Sequence, residues 1–185
     1  MKRLITLILV ILPFIVNAQL TRVAGGLGFS SGVTINTAET GNPAIWGRAY
    51  YKIAKRAYLT GTLSWYKTGV KSTFDEEVKN YMFHGDLDFQ YGIFRDDPIR
   101  VVAFTGVNAT TILSRYDIKV NTGQSGVDDV SEVKPGLNLG AALEMRVDNY
   151  FDAFVSAKYI VGTWDQMIVS IGVIYYLEEN RRRSW

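Results

Sequence analysis

The chain has 185 residues, of which 20 are Lys or Arg and 18 are Asp or Glu, with one His and no Cys. The lack of Cys excludes a disulfide framework and a lipid-bearing cysteine, and with charge so near balance nothing points to nucleic acid. A chain of this length, with no Pro-rich or Ser-rich linker, fits one domain.

The chain opens as an address. Lys2 and Arg3 precede an apolar run from Leu4 to Val16, and Val16, Asn17 and Ala18 place small residues at a cleavage position, so residues 1–18 read as a secretory signal peptide. The run is too short for a membrane anchor, which needs roughly 20 apolar residues. Setting Lys2 and Arg3 aside from the 20 basic residues leaves 18, which balance the 18 acidic ones, so the mature part, 19–185, is close to neutral. No later stretch approaches a helical span, so any entry into a membrane is by strands.

From there apolar and polar residues alternate with a period of two in eight segments. In 21–34, Val23, Gly25, Leu27 and Phe29 oppose Arg22, Ala24, Gly26, Gly28 and Ser30. In 43–54, Ile45, Ala49, Tyr51 and Ile53 oppose Trp46, Arg48, Tyr50 and Lys52. In 57–67, Leu59, Leu63 and Trp65 oppose Tyr58, Thr60, Thr62 and Ser64. The fourth segment, "YMFHGDLDFQYGI" over 81–93, is among the cleanest, with Phe83, Leu87, Phe89 and Tyr91 against His84, Asp86, Asp88 and Gln90. The fifth, 99–110, is the least polarised, since Val102 and Phe104 face away from Val101 and Ala103. In 134–147, Leu137, Leu139, Leu143 and Met145 alternate with Asn138, Gly140, Glu144 and Arg146. In 150–161, Phe151, Val155 and Tyr159 oppose Asp152, Phe154, Ser156 and Lys158. In 165–177, Met167, Val169, Ile171, Val173 and Tyr175 oppose Ile168, Ser170, Gly172 and Ile174.

Connections of two kinds join these segments. Lys55-Arg56, Arg95-Asp96-Asp97-Pro98 and Asp148-Asn149 are tight turns, whereas 35–42, 68–80 and 111–133 are longer, with 162–164 a short exception. Their alternation predicts a barrel of hairpins with two unlike rims, short turns facing the periplasm and long loops facing outward. The expected fold is all-β, an eight-stranded antiparallel up-and-down transmembrane barrel over 19–185 with a short C-terminal tail.

Alternation alone fits a soluble carrier with an apolar cavity as well as a membrane barrel with a polar lumen. The polar face favours the membrane barrel, because Gly26, Gly28, Gly92, Gly140 and Gly172 lie on it beside charges of both signs, as a narrow lumen requires. The apolar face carries Trp65, Tyr81, Phe83, Tyr91, Phe151, Tyr159 and Tyr175 near strand ends, where aromatic rings meet membrane interfaces. "GLNLGAALEMRV" (136–147), "RDDPIRVVAFTGVNAT" (95–110) and "QMIVSIGVIYYL" (166–177), taken in order, resemble the small eight-stranded outer-membrane barrels of the OmpA and OmpX type. The resemblance implies residence in the outer membrane, contact with its lipids, and insertion by the barrel-assembly machinery through a terminal aromatic residue. The chain departs from that pattern by continuing over 178–185, which leaves Tyr175, Tyr176 or Trp185 as the signal. No peptidoglycan-binding domain of the kind some relatives carry is expected after the last strand.

The expected lumen network comprises Arg48, Lys52, Asp86, Asp88, Glu144, Arg146 and Lys158, since buried charge is tolerated when paired; Arg48 is expected to pair with Asp86 or Asp88. Two alternatives accompany this structural or interaction role. Some barrels that resemble this one in size act as lipid A deacylases or acyltransferases, and Ser64, His84 and Asp86 form a conceivable nucleophile-base set. A small-solute pore is the other, although eight strands leave an interior that side chains fill. No enzyme activity, cofactor or metal is expected; Asp117, Asp128 and Asp129 read as a solvated acidic loop, and Arg181, Arg182 and Arg183 as a solvated tail. A protein partner is expected, if anywhere, at the outer loops.

Overall fold

The computed structural model describes residues 19–31, 33–35, 38–40, 43–67, 69–72, 76–118 and 127–177. The predicted signal peptide over 1–18 and the tail over 178–185 lie outside them. Eleven strands occur among the described residues: β1 (Gln19–Ser30), β2 (Val33–Ile35), β3 (Ala38–Thr40), β4 (Ala44–Ala54), β5 (Ala57–Tyr66), β6 (Gly69–Ser72), β7 (Glu76–Asp96), β8 (Ile99–Ile118), β9 (Val127–Arg146), β10 (Phe151–Gly162) and β11 (Gln166–Tyr176). Eight of them, β1, β4, β5 and β7 to β11, pair antiparallel with their neighbours, and the β5–β7 and β1–β11 pairings close the ring. Closure leaves no edge through the length of the barrel, which is what a structure surrounded by lipid requires.

The alternation becomes an inside and an outside. Leu27, Leu63, Leu87, Val107, Leu139, Leu143 and Ile171 stand exposed on the outer wall, while Arg22, Arg48, His84, Asp86, Asp88, Asn138, Glu144 and Lys158 are buried in the interior. Exposed aromatic residues gather toward both ends of the wall. Trp65, Phe83 and Tyr159 lie near the long-loop rim, and Tyr51, Tyr91, Phe94, Tyr150, Phe151 and Tyr175 lie near the short-turn rim.

Inward glycines answer to the narrowness of the interior. A Cβ on Gly172 would stand 2.4 Å from the Gly25 carbonyl and 2.7 Å from Trp46 Cζ2, and one on Gly140 would stand 2.4 Å from Phe104 Cζ. The large rings therefore fit only because the facing strands carry no side chain there.

At the short-turn rim the ladder shifts register between Leu20 and Arg22, Lys52 and Ala54, and Gly92 and Phe94. Bulges of this kind are common at barrel rims, where they tighten the twist and turn side chains aside; Ile93 and Phe94 are consequently both exposed.

The long-loop rim departs from expectation. Residues 76–80 and 111–118, assigned to loops from sequence, continue β7 and β8, and β9 begins at Val127, within the predicted 111–133 loop. The β7–β8 and β8–β9 ladders run unbroken to Glu76↔Ile118 and Asp117↔Val127. Above the closed barrel the chain therefore raises a sheet rather than loops. Above the closed ring the apolar–polar alternation fades although the backbone pairing continues. Likewise β1 ends at Ser30, short of the predicted Thr34, and Val33 to Ile35 pair with Ala38 to Thr40 as a separate hairpin.

Candidate functional site: the barrel interior and the long-loop rim

Two networks fill the polar interior, one above the other. Near the short-turn rim Glu144 Oε2 accepts from Arg22 Nη1 at 3.0 Å and from Arg100 Nη1 at 2.7 Å. Arg100 Nη2 donates to the Tyr176 hydroxyl at 3.1 Å, and that hydroxyl donates to Asp152 Oδ2 at 2.5 Å. The Arg22 guanidinium carbon stands 4.4 Å from the ring centre of Tyr50 and 4.1 Å from that of Tyr58. A cation over such faces gains electrostatic stabilisation that grows as water is removed.

At mid-depth Lys158 Nζ donates to Asp86 Oδ2 at 2.7 Å, while Asn108 and Asn138 donate to Asp86 Oδ1 at 2.7 and 3.0 Å. Asn138 also donates to Asp88 Oδ1 at 2.7 Å. Arg48 Nε donates to Thr62 Oγ1 at 2.8 Å, and its guanidinium lies among the rings of Phe154, Trp46 and Phe104 at 5.3, 5.5 and 5.8 Å. Beside it is a cavity of about 10 Å³, bordered by Thr62, Ser64, Ser156, Lys158 and Ser170, roughly the space of one water. Among the described residues four buried cations, Arg22, Arg48, Arg100 and Lys158, face four buried carboxylates, Asp86, Asp88, Glu144 and Asp152.

Toward the long-loop rim the interior turns apolar. Ala44, Tyr66, Met82, Ile112, Ile160 and Ile168 pack together, with Trp164 against them. His84 sits at the lower edge of this layer, its Nδ1 3.0 Å from the Tyr66 hydroxyl and its Nε2 3.5 Å from Gln166 Nε2. Gln166 Oε1 accepts from Ser30 at 2.9 Å.

The sequence-predicted residues thus divide. Asp86, Asp88 and Lys158 come together at mid-depth, and Glu144 joins the lower network. Arg146 lies at the short-turn rim, half-buried and paired with Asp97 at 2.9 Å, and Lys52 is half-buried toward the same rim. Arg48 and Asp86 do occupy one row of the ladder, with Thr62 between them, but Asp86 takes Lys158 from across the lumen and Arg48 takes Thr62. Ser64 and His84 are cross-strand partners, yet the hydrogen bonds of His84 run to Tyr66 and Gln166 and those of Asp86 to Lys158 and the two asparagines. The three do not form a chain of hydrogen bonds.

Sequence reasoning passed over Arg22, Arg100, Asp152 and the two asparagines. The available signal was positional, since each falls on the inward face of its segment, and an Arg two residues from an aromatic on that face, as in Trp46-Arg48-Tyr50, foreshadows the ring-lined guanidinium.

No family model matches the sequence, and no curated protein does. Solved structures do resemble it. The N-terminal β-barrel domain of Pseudomonas aeruginosa OprF superposes with a TM-score of 0.55 at 15% identity, covering 86% of this chain and 99% of that one. The fold is that of the small eight-stranded outer-membrane barrels. Ail, the attachment invasion locus protein of Yersinia pestis, gives a TM-score of 0.56 at 13% identity over 85% of this chain and 97% of its own. Neisserial surface protein A gives 0.54 at 16% over 85% and 97%.

Proposed function

We propose that this chain resides in the outer membrane as a closed, non-conducting, non-enzymatic barrel and serves as an interaction scaffold, inserted by the barrel-assembly machinery and bathed by outer-membrane lipid. The apolar wall with aromatic residues at both ends supports the location. The observation that carries the role is the sheet above the long-loop rim. On one side β9 pairs with β8 from Val127 to Met145, whereas on the other its pairing with β10 reaches only to Gly136↔Gly162. Residues 127–135 therefore present an open strand edge among the described residues, backed by β8 and β7. An exposed edge of backbone donors and acceptors is a template on which a partner strand can add.

Two further readings have less to support them. A pore must pass both ionic networks and the Met82, Ile112, Ile160 and Ile168 layer, and liposomes containing the protein are expected to exclude small sugars in a swelling assay. A lipid-modifying enzyme would need His84 to activate a nucleophile, and its hydrogen bonds lead elsewhere.

Because the chain has no Cys, a single introduced thiol reports location without background. Ser131→Cys, on the open edge, is expected to react on intact cells with a membrane-impermeant maleimide, and Asn149→Cys, in a tight turn, only after the outer membrane is permeabilised. The opposite pattern would invert the orientation, and labelling of both only in the soluble periplasmic fraction would remove the membrane location. A barrel cut back at the Ile112↔Glu132 pair should keep its heat-modifiable gel mobility and lose partner binding.

A further inference from the structure

A groove of about 310 Å³ opens on the outer wall across β4, β5 and β7, toward the long-loop rim. Ile45, Leu63, Trp65 and Phe83 flank it and Gly47 forms part of its floor. The register explains the shape. Ile45 pairs with Trp65 and Trp65 with Phe83, giving a row of large outward side chains, while the adjoining row runs Gly47, Leu63, Gly85. The wall is therefore high at one level and low at the next.

Packing within the chain accounts neither for Gly47 nor for Gly61, and of the two only Gly47 borders the groove. Inward glycines such as Gly140 and Gly172 would clash if they bore a Cβ, but a Cβ on Gly47 meets nothing within 4 Å, and one on Gly85 meets only Leu63 Cδ2 at 3.8 Å. A glycine inside a strand costs backbone entropy and packs nothing, and commonly marks the close approach of another molecule.

The chemistry around the groove selects that molecule. Its lining is apolar and it faces hydrocarbon, which calls for an acyl chain. Lys67 continues the outward face one position beyond Trp65 in the alternation, about 7 Å further up the strand. Lys79 and Arg115, cross-strand partners, stand two outward positions beyond Phe83 and Thr111. Cations thus lie above an apolar slot at headgroup level and complement an anionic headgroup. A second copy of the chain fits less well, because a two-fold contact would set the same concave patch against itself.

We infer that this groove is a binding site for one acyl chain of an outer-leaflet lipid whose phosphorylated headgroup lies against Lys67, Lys79 and Arg115. The inference rests on the membrane location proposed above.

The test uses the full mature barrel refolded into vesicles of equimolar phosphatidylglycerol and phosphatidylcholine, then extracted and passed in detergent through size exclusion, with retained phospholipid measured by native mass spectrometry. Wild type is expected to retain phosphatidylglycerol. Gly47→Leu fills the groove and loses it, whereas Gly61→Leu, also with open space around its Cβ but outside the groove, keeps it. Lys67→Gln combined with Lys79→Gln lowers the preference for phosphatidylglycerol over phosphatidylcholine. Equal retention by wild type, Gly47→Leu and Gly61→Leu overturns the site, as does a wild-type dimer that Gly47→Leu converts to monomer. Heat-modifiable mobility separates the two readings: if no variant inserts into the vesicles the membrane location fails, and if all insert with equal retention only the groove does.

Discussion

Glu144 is the most demanding position in the barrel, because one carboxylate oxygen serves two guanidinium groups. It is 1% exposed, and Arg22 and Arg100 approach it at 3.0 and 2.7 Å. At an effective dielectric of 20 each such contact amounts to about 5 to 6 kcal/mol of Coulomb attraction, offset by the desolvation of both ions. Glu144→Ala takes the carboxylate from Arg22, which stays buried between tyrosine rings, while Arg100 keeps Asp152 at 3.6 Å. Removing one partner of a buried ion pair typically costs about 3–5 kcal/mol, a large part of the usual stability of a domain. The assay is a urea titration of the barrel in phospholipid vesicles, followed by the loss of heat-modifiable gel mobility. Glu132→Ala supplies the comparison. Its pair with Lys134 at 3.5 Å is exposed on both sides, and exposed pairs contribute about 0–1 kcal/mol. A Glu144→Ala barrel within 1 kcal/mol of Glu132→Ala would refute the claim that the lower network holds the strands together.

Three other outcomes follow from the same geometry. Ile171→Lys puts a charge at mid-span on the outer wall, where Ile171 opposes Val155 and Leu27, and should cost about 2–4 kcal/mol in a bilayer; Val147→Lys, at the short-turn rim, should cost about 0–1 kcal/mol, and equal effects in the same urea titration would deny a lipid-facing wall. Lys158→Met strands the Asp86 carboxylate and should destabilise by about 3 kcal/mol or more, while Lys158→Met with Asp86→Leu recovers much of that loss, a coupling that a double-mutant cycle measures. His84→Ala removes the ring nitrogens that meet the Tyr66 hydroxyl and the Gln166 amide nitrogen, while Gln166 keeps Ser30, and should lower stability by about 1–3 kcal/mol; neither it nor wild type is expected to release fatty acid from phospholipid vesicles, and release by wild type alone would restore a catalytic role for His84.

What could be read in the sequence follows from where lipid imposes a rule. Between the rims one face of every strand must be apolar, so the pattern of Tyr81 to Ile93 or of Leu137 to Met145 declares both the strand and its orientation. Beyond the rim that demand lapses, which is why residues 111–118 and 127–133 read as loop although their backbones pair throughout. Inside the barrel, depth was legible but choice of partner was not. Arg48 and Asp86 do share a row, yet in a barrel this narrow a side chain can reach across the lumen as readily as along the wall, and Lys158 on the far side takes the carboxylate. Arg100 escaped notice because it lies on the one segment whose two faces hardly differ in polarity.

The division of labour between the two faces explains why so much charge is kept inside. A wall residue such as Leu139 is as comfortable against lipid tails as against a neighbouring strand, so the wall sorts inside from outside but cannot tell one partner alignment from another. The interior contacts can. Glu144 on β9 is held by Arg22 on β1 and Arg100 on β8, and Asp86 on β7 by Lys158 on β10 and by asparagines on β8 and β9. A slip of one residue in any of these strands would turn its charges toward hydrocarbon, and a slip of two would separate donors from acceptors by about 7 Å. The networks therefore act as a register lock for a barrel whose outer surface has no preference, and they leave the sheet above the rim free of that constraint to present its open edge.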